Sequence, residues 1–185
     1  MRRALAVCLL AAFAATSCGG GTAESASTTQ TTSALGGSID FLRHPEDVPG
    51  LIRERFGEAP YVRRINLFRE YVIIELRDPA KPENLDDWTY RDGRWTSRPV
   101  SVSMADIAAL DDTTFLPSQI AWDRVVDLVQ QALDGLELEE ETVDAVSFDR
   151  IAGDQPRVYI GVRGLRGTGR LLANADGTGV DVQRN

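Results

Sequence analysis

Apolar residues recur at helical spacing in two stretches of the chain. The first stretch has four of them: Val48, Leu51, Ile52 and Phe56. The second, longer stretch has seven: Trp122, Val125, Val126, Leu128, Val129, Ala132 and Leu133. Acidic residues precede the first stretch, and a glycine lies at or near the end of each, at Gly57 and Gly135. These signals predict a short amphipathic helix that ends before Gly57 and a longer helix from Trp122 to Leu136, with one apolar face each.

Runs typical of β-strands follow the first helix. They cover 61–70 and 71–78, and a polar loop through Pro79 and Pro82 leads to an aromatic-rich segment, Trp88 to Trp95. Within that segment Asp92-Gly93 lies between alternating aromatic residues, which is typical of a two-residue hairpin turn.

A similar series follows the second helix. Strands are predicted over 142–151, 157–163, 170–175 and 180–183, with a turn at Asp176-Gly177. The apolar spacing at 48–52 also matches that at 125–129. We therefore predict an α+β domain over residues 39–185, built of two helix-then-antiparallel-strand repeats, 39–103 and 114–185, that form a sheet packed against helices.

This order of elements resembles the tandem helix-then-sheet repeats of PepSY domains and of the β-lactamase inhibitor protein fold. The likeness covers roughly Phe41 to Gln183, and it depends on the element order and the terminal Asp-Gly turn. The resemblance implies a non-enzymatic domain that binds protein or regulates a neighbour.

The first seventeen residues have the features of an export signal. Arg2 and Arg3 precede an uncharged stretch, 4–15, that is too short to span about 30 Å of hydrocarbon as a helix. The segment 15–18, Ala-Thr-Ser-Cys, resembles the lipobox of bacterial lipoproteins of the actinobacterial type. The resemblance implies cleavage before Cys18 and a diacylglyceryl group on its thiol, which places the protein on the extracytoplasmic face of the cell membrane. Ala-Phe-Ala at 12–14 offers ordinary secretion as the alternative.

Residues 18–38 are rich in Gly, Ser, Thr and Ala and carry one charge, at Glu24. Such a composition buries too little apolar surface to fold and predicts a flexible tether. Cys8 lies in the predicted signal peptide and Cys18 is the predicted lipid attachment site, so no thiol is left for a disulfide or a cysteine metal site.

The net charge of the chain limits the classes of partner that the protein can bind. The chain has 20 Lys+Arg and 28 Asp+Glu, a net charge of -8, and removal of residues 1–17 makes it -10. Nucleic acid is excluded as a partner because no excess of cations neutralises phosphates. Contact with the membrane is expected through the acyl anchor on Cys18 alone.

Candidate catalytic chemistry is scarce, and we predict no enzyme, no cofactor and no metal site. His44 is the only histidine and sits beside Pro45, where a surface or capping role is expected. The acidic stretch 137–141 is expected to be a solvated loop, with weak calcium binding as the alternative. The 174–179 segment predicts a hairpin turn rather than a calcium loop. The glycines and arginines of 161–170 predict strand and turn, with an anion contact as the alternative.

Three aromatic residues are the candidate partner-binding residues. With Asp92-Gly93 as the turn, Trp88, Tyr90 and Trp95 share one face of the hairpin. This face either packs on a helix or forms a platform for an envelope protein or a glycan. We expect Tyr90 and Trp95 to be buried and Trp88 to be partly exposed.

Two functions fit these features. The first is a lipid-anchored, non-enzymatic binding or accessory module of the cell envelope. The second is a carrier of a lipid or other hydrophobic ligand, which requires an apolar cavity between sheet and helices. The first helix is short and charged, which favours the module.

Overall fold

The structure is a computed structural model that describes residues 39–185; the predicted signal peptide, Cys18 and the predicted tether lie outside these residues. The strands are β1 (Val62–Leu67), β2 (Tyr71–Asp78), β3 (Lys81–Arg91), β4 (Arg94–Val100), β5 (Thr142–Asp149), β6 (Arg157–Gly164), β7 (Gly167–Asn174) and β8 (Asp181–Arg184). The helices are α1 (Val48–Phe56), α2 (Met104–Thr113) and α3 (Val125–Leu136), with short 3-10 turns at Pro45–Asp47, Pro117–Gln119 and Trp122–Arg124.

All eight strands belong to one antiparallel sheet in the order β4-β3-β2-β1-β5-β6-β7-β8. Each half is a meander, and the first strands of the two halves, β1 and β5, pair in the centre with Ile65 opposite Phe148 and Leu67 opposite Val146. A single antiparallel sheet with separate helices is an α+β architecture, as the pattern predicts.

The main core lies between one face of this sheet and the helices α1 and α3. Alternate strand residues point into it, for example Val72, Ile74 and Leu76 of β2, because side chains alternate between the two faces of a strand. Helix α3 contributes Val125, Leu128, Ala132 and Leu136, and α1 contributes Val48 and Ile52. These residues follow the 3.6-residue period that the sequence shows.

The structure differs from the predicted helices in two details. Val126 was predicted on the inner face of the second helix, but it is 44% exposed because it lies one residue, about 100° of rotation, beyond the buried Val125. The start also differs, because Trp122–Arg124 forms a 3-10 turn and α3 begins at Val125. The end at Leu136 is as predicted, with Glu137 in the left-handed cap position at φ 44°.

The predicted polar loop through Pro79 and Pro82 is also wrong in part, because β3 begins at Lys81. Asp78 pairs with Lys81 across the turn, so Pro79 and Ala80 alone reverse the chain. Pro82 then lies in the irregular part of the strand, before the regular pairing resumes at Leu85.

Helix α2 occupies a segment for which no element was predicted. Its apolar face is short, with Leu110 buried and Ile107 partly buried. A capping box fixes its start: the Asp106 amide donates to the Ser103 hydroxyl, and the Ser103 amide donates to the Asp106 carboxylate. The pKa of Asp106 is held below its usual value, chiefly by the hydrogen bond that the Ser103 hydroxyl donates to its carboxylate and further by the one from the Ser103 amide.

Two glycines let the end of α3 and the following chain approach the sheet closely. An added Cβ at Gly169 would lie 2.3 Å from Leu136 Cδ2 and 3.0 Å from the Gln183 carbonyl oxygen. At Gly164 it would lie 2.8 Å from the Glu139 carbonyl oxygen. The glycine-rich stretch 161–170 therefore belongs to strands and a turn, as predicted, and two of its glycines are required by packing.

Substitution of the sheet glycine tests this packing. We expect Gly169→Ala to lower the free energy of unfolding by about 1 to 3 kcal/mol, because Leu136 is 0% exposed and has no room to move. Gly50→Ala in α1 is the matched control, since nothing lies within 4 Å of the added methyl group. It should raise stability by up to about 1 kcal/mol. Denaturant titration measures both, and equal effects at the two positions would contradict the close approach.

Candidate functional site

The aromatic hairpin has the register that the sequence predicts. Tyr90 pairs with Trp95 and Arg91 pairs with Arg94 across the two-residue turn. Trp88, Tyr90 and Trp95 therefore lie on one face, which is the face that carries the main core.

This aromatic face packs against α1 and the chain before it. Phe56 contacts both tryptophans edge-on, with ring centroids 5.1 Å apart in each case. Phe41 contacts Tyr90 at 6.0 Å. All three hairpin aromatics are partly buried, so Tyr90 and Trp95 are less buried than predicted. They lie on the outer strands β3 and β4, where Phe56 at the end of α1 and Phe41 before α1 cover them in part. Burial raises the pKa of the Tyr90 phenol. Their assignment as partner-binding residues stays a prediction.

The remaining candidates occupy surface positions. His44 is exposed, and its Nδ1 lies 3.3 Å from Glu46 Oε1 at the entrance to the first 3-10 turn. Asp176 lies in the β7–β8 connection, where its carboxylate accepts from the amide and hydroxyl of Thr178 and its pKa is lowered by these bonds. Among residues 39–185, no group of three or more His, Cys, Asp or Glu side chains is arranged to hold a metal ion.

The other face of the sheet was not singled out from the sequence. We call it the open face, and the strand register defines it: in the central row Arg64 pairs with Asp149, and Asp149 pairs with Arg157. In the next row Asn66 pairs with Ser147, and Ser147 pairs with Tyr159. These residues alternate along each strand with the buried residues of the main core.

Arginine is the dominant charged residue of the open face. By register and alternation the face carries eight arginines: Arg64, Arg77, Arg91, Arg94, Arg98, Arg157, Arg163 and Arg170. By the same register it carries four acidic residues: Glu75, Asp87, Asp149 and Asp181. Three residues outside the regular alternation also reach this face: Arg63 donates to Glu75, Asp144 accepts from Arg163 at 2.9 Å, and Asp111 of α2 accepts from Arg77 at 2.6 Å. The described residues as a whole hold 18 Lys+Arg and 27 Asp+Glu. Basic residues therefore outnumber acidic ones among the strand residues of this face, although acidic residues predominate in the domain as a whole.

A shallow basin lies on the half of the open face formed by β1, β5, β6 and β7. Its volume is about 440 Å³, and ten residues line it: Arg64, Asn66, Ser147, Asp149, Ile151, Arg157, Val158, Tyr159, Arg170 and Leu172. Tyr159 is 38% exposed and Ile151 is 53% exposed, so apolar surface adjoins the charged groups. We refer to this depression as the basin.

The basin arginines are weakly neutralised. Arg64 Nη1 lies 3.9 Å from Glu75 Oε1, but Glu75 accepts a closer hydrogen bond from Arg63 Nε at 2.5 Å. Arg170 donates two hydrogen bonds to the uncharged Gln183 Oε1, at 2.9 and 2.7 Å. Within the described part of the chain, neither Arg157 nor Arg170 has a carboxylate within 4.0 Å. Arg157 and Arg170 thus lie in the basin without a carboxylate partner among residues 39–185, and Arg170 is held by the uncharged Gln183.

No model of a known protein family matches the chain, and neither a curated protein nor a solved structure matches it. The resemblances to lipoproteins, PepSY domains and the β-lactamase inhibitor protein fold therefore stay predictions. Among the helices of residues 39–185, none is both long and apolar enough to cross a bilayer.

Replacement of Trp95 tests whether the aromatic face is structural. We expect Trp95→Ala to lower the free energy of unfolding by about 3 kcal/mol, because the loss of the indole removes its contacts with Phe56 and Tyr90 and leaves a cavity between them. Tyr61→Ala is the control, since that side chain is 54% exposed and should change stability by less than about 0.5 kcal/mol. Denaturant titration decides it, and a change at Trp95 as small as the control's would return the hairpin to the candidate binding surfaces.

Proposed function

We propose that the protein is an exported lipoprotein of the cell envelope, anchored through acylated Cys18, that acts as a non-enzymatic binding module. The open face is its binding surface. The observation that supports this assignment is the basin, where Arg157 and Arg170 lack a carboxylate within 4.0 Å among the described residues and lie beside exposed apolar side chains, a surface suited to recognition.

The lipid anchor is consistent with the composition of the domain. Residues 39–185 contain no cysteine, so the domain needs no disulfide and Cys18 is the one thiol that remains after removal of residues 1–17. Because residues 39–185 carry nine more acidic than basic residues, the net charge of the domain opposes binding to an anionic bilayer, and the acyl chains supply the membrane affinity.

The alternative function, a carrier of a hydrophobic ligand, finds less support in the geometry. The space between the sheet and the helices is filled by side chains such as Ile65, Phe148 and Ile160, each 0% exposed. The basin lies on the opposite face, is open to solvent and has three arginines in its lining. Such a surface favours a polar, anionic ligand over a lipid tail.

We further propose that the domain arose from two repeats, as the sequence pattern predicts. In favour of this proposal, each half contains a helix followed by four antiparallel strands, and the first strands of the halves pair with each other. Helix α2 then belongs to the connection between the repeats.

Removal of the anchor tests the membrane assignment. We expect Cys18→Ala to shift the protein from the detergent phase to the aqueous phase of a detergent-partition assay, or to leave an unprocessed precursor. The physical reason is that two acyl chains contribute about 0.8 kcal/mol for each buried CH₂ group. Partition that is the same for Cys18→Ala and the parent protein would contradict the anchor.

Site-specific crosslinking tests the open face as the binding surface. A photoreactive phenylalanine analogue is placed at Tyr159, in the basin, and the matched control carries it at Tyr61, which is exposed outside the basin. After irradiation of intact envelopes, we expect a discrete adduct from position 159 and none from position 61. Immunoblots measure the adducts, and equal yields from both positions, or none from 159, would argue against the open face.

A further inference from the structure

A segment of the chain itself, helix α2, already covers one part of the open face. Leu110 of α2 and Leu85 of β3 are each 1% exposed, yet neither belongs to the main core. Leu85 pairs with Arg77 and therefore points to the open face, and α2 contacts β3. Leu85 is thus buried on the side of the sheet opposite α1 and α3, the side on which α2 with its buried Leu110 contacts β3.

Electrostatic contacts also hold α2 on this face. The helix carries three aspartates, Asp106, Asp111 and Asp112, and no basic residue. Arg77 Nη1 donates to Asp111 Oδ1 at 2.6 Å, and the Arg77 side chain is only 18% exposed. The pKa of Arg63 is raised, chiefly by its hydrogen bond to Glu75 and further by the negative charges of Glu75, Asp106 and Asp87. Helix α2 therefore shows which kind of segment this face accepts: an acidic one with a leucine toward the sheet.

The basin offers the same chemistry on the same face without such a cover. Arg157 and Arg170 supply cations that lack a carboxylate partner among the described residues. Tyr159 and Ile151 supply exposed apolar surface beside them. One carboxylate, Asp149, lies in the row between Arg64 and Arg157, so the basin lining retains an excess of positive charge.

We infer that the basin binds an acidic peptide segment of a partner protein, with carboxylates toward Arg157 and Arg170 and an aliphatic side chain against Tyr159 and Ile151. This inference rests on the proposed function, because it takes the open face as the binding surface. Charge complementarity favours this occupant. Residues 39–185 carry nine more acidic than basic residues, so an acidic segment is repelled by most of the surface and attracted by this face.

The test uses a peptide that copies α2, residues 103–114, labelled with fluorescein and added to the full acylated chain in a neutral detergent. Two matched peptides serve as probes of the chemistry. In one the three aspartates are replaced by asparagine, and in the other the leucine is replaced by serine. Fluorescence anisotropy gives the dissociation constants. We expect the parent peptide to bind about tenfold more tightly than either variant and to weaken as salt is added.

Charge reversal in the protein then locates the site. Arg157→Glu with Arg170→Glu should weaken binding of the parent peptide about tenfold or more. The control, Arg43→Glu with Arg166→Glu, makes the same change in net charge at exposed positions outside the basin and should leave binding within about twofold. Circular dichroism melting of both double variants shows whether each is folded at the temperature of the assay. If the basin double variant is unfolded there, Arg157→Gln alone replaces it.

Three results would overturn the inference. Binding that is equal for the basin and control variants means that the peptide is attracted by charge without a site. The basin is a site for small anions if citrate, at the same concentration of carboxylate groups, fully displaces the parent peptide and if the leucine-to-serine peptide binds as tightly as the parent. If the parent protein self-associates and the basin double variant does not, the occupant of the basin is a second copy of the chain.

Failure of this inference is distinguishable from failure of the proposed function. The crosslink from Tyr159 reports contact at the open face whatever the chemistry of the ligand. An adduct from Tyr159 without peptide binding rejects the acidic segment and retains the binding surface, whereas absence of the adduct rejects the surface.

Discussion

The pairing of β1 with β5 is the interaction on which the rest of the structure depends. Four residue pairs join the two meanders, and the inward-pointing members, Ile65 with Phe148 and Leu67 with Val146, are all 0% exposed. Because this pairing makes one sheet from two, α1 and α3 share one continuous apolar face. It also brings Arg64 of the first half and Arg157 of the second into one row on the other face. Core and basin are two consequences of the same strand register.

Because α1 and α3 both lie on one face of the sheet, the residues of the open face must meet a different requirement. Strand residues alternate, so each residue that points away from α1 and α3 must be compatible with solvent or find another cover. An arginine satisfies this condition well, since its stem packs along the sheet while the guanidinium stays hydrated. Leu85 does not, and its burial on the strand that α2 contacts gives α2 a structural reason to lie on the open face.

The sequence predicted the features that depend on local pattern. The apolar period of α3 and the Asp92-Gly93 turn are readable because all their signals lie within a few residues. Helix α2 was missed because it buries only one residue, although Ser103 and Asp106 at capping-box spacing were a readable signal. The basin was missed for a different reason: Arg64 and Arg157 lie far apart in the chain and become neighbours only through the register of β1, β5 and β6. No window of sequence contains that information.

The point at which the chain enters the domain bears on how an anchored module would present its basin. Phe41 donates its backbone N–H to the Arg69 carbonyl at 2.9 Å, and Arg69 also lies 3.3 Å from Asp40, so residue 39 starts beside the β1–β2 turn. Arg64 and Arg157, in contrast, lie at the other end of the sheet. Arg64 is near the start of β1, which runs toward the β1–β2 turn, and Arg157 is at the start of β6, which has the same direction as β1 because both are antiparallel to β5. An anchor upstream of residue 39 is thus attached at the end of the sheet away from these arginines. A domain anchored in this way can therefore keep its basin directed away from the membrane.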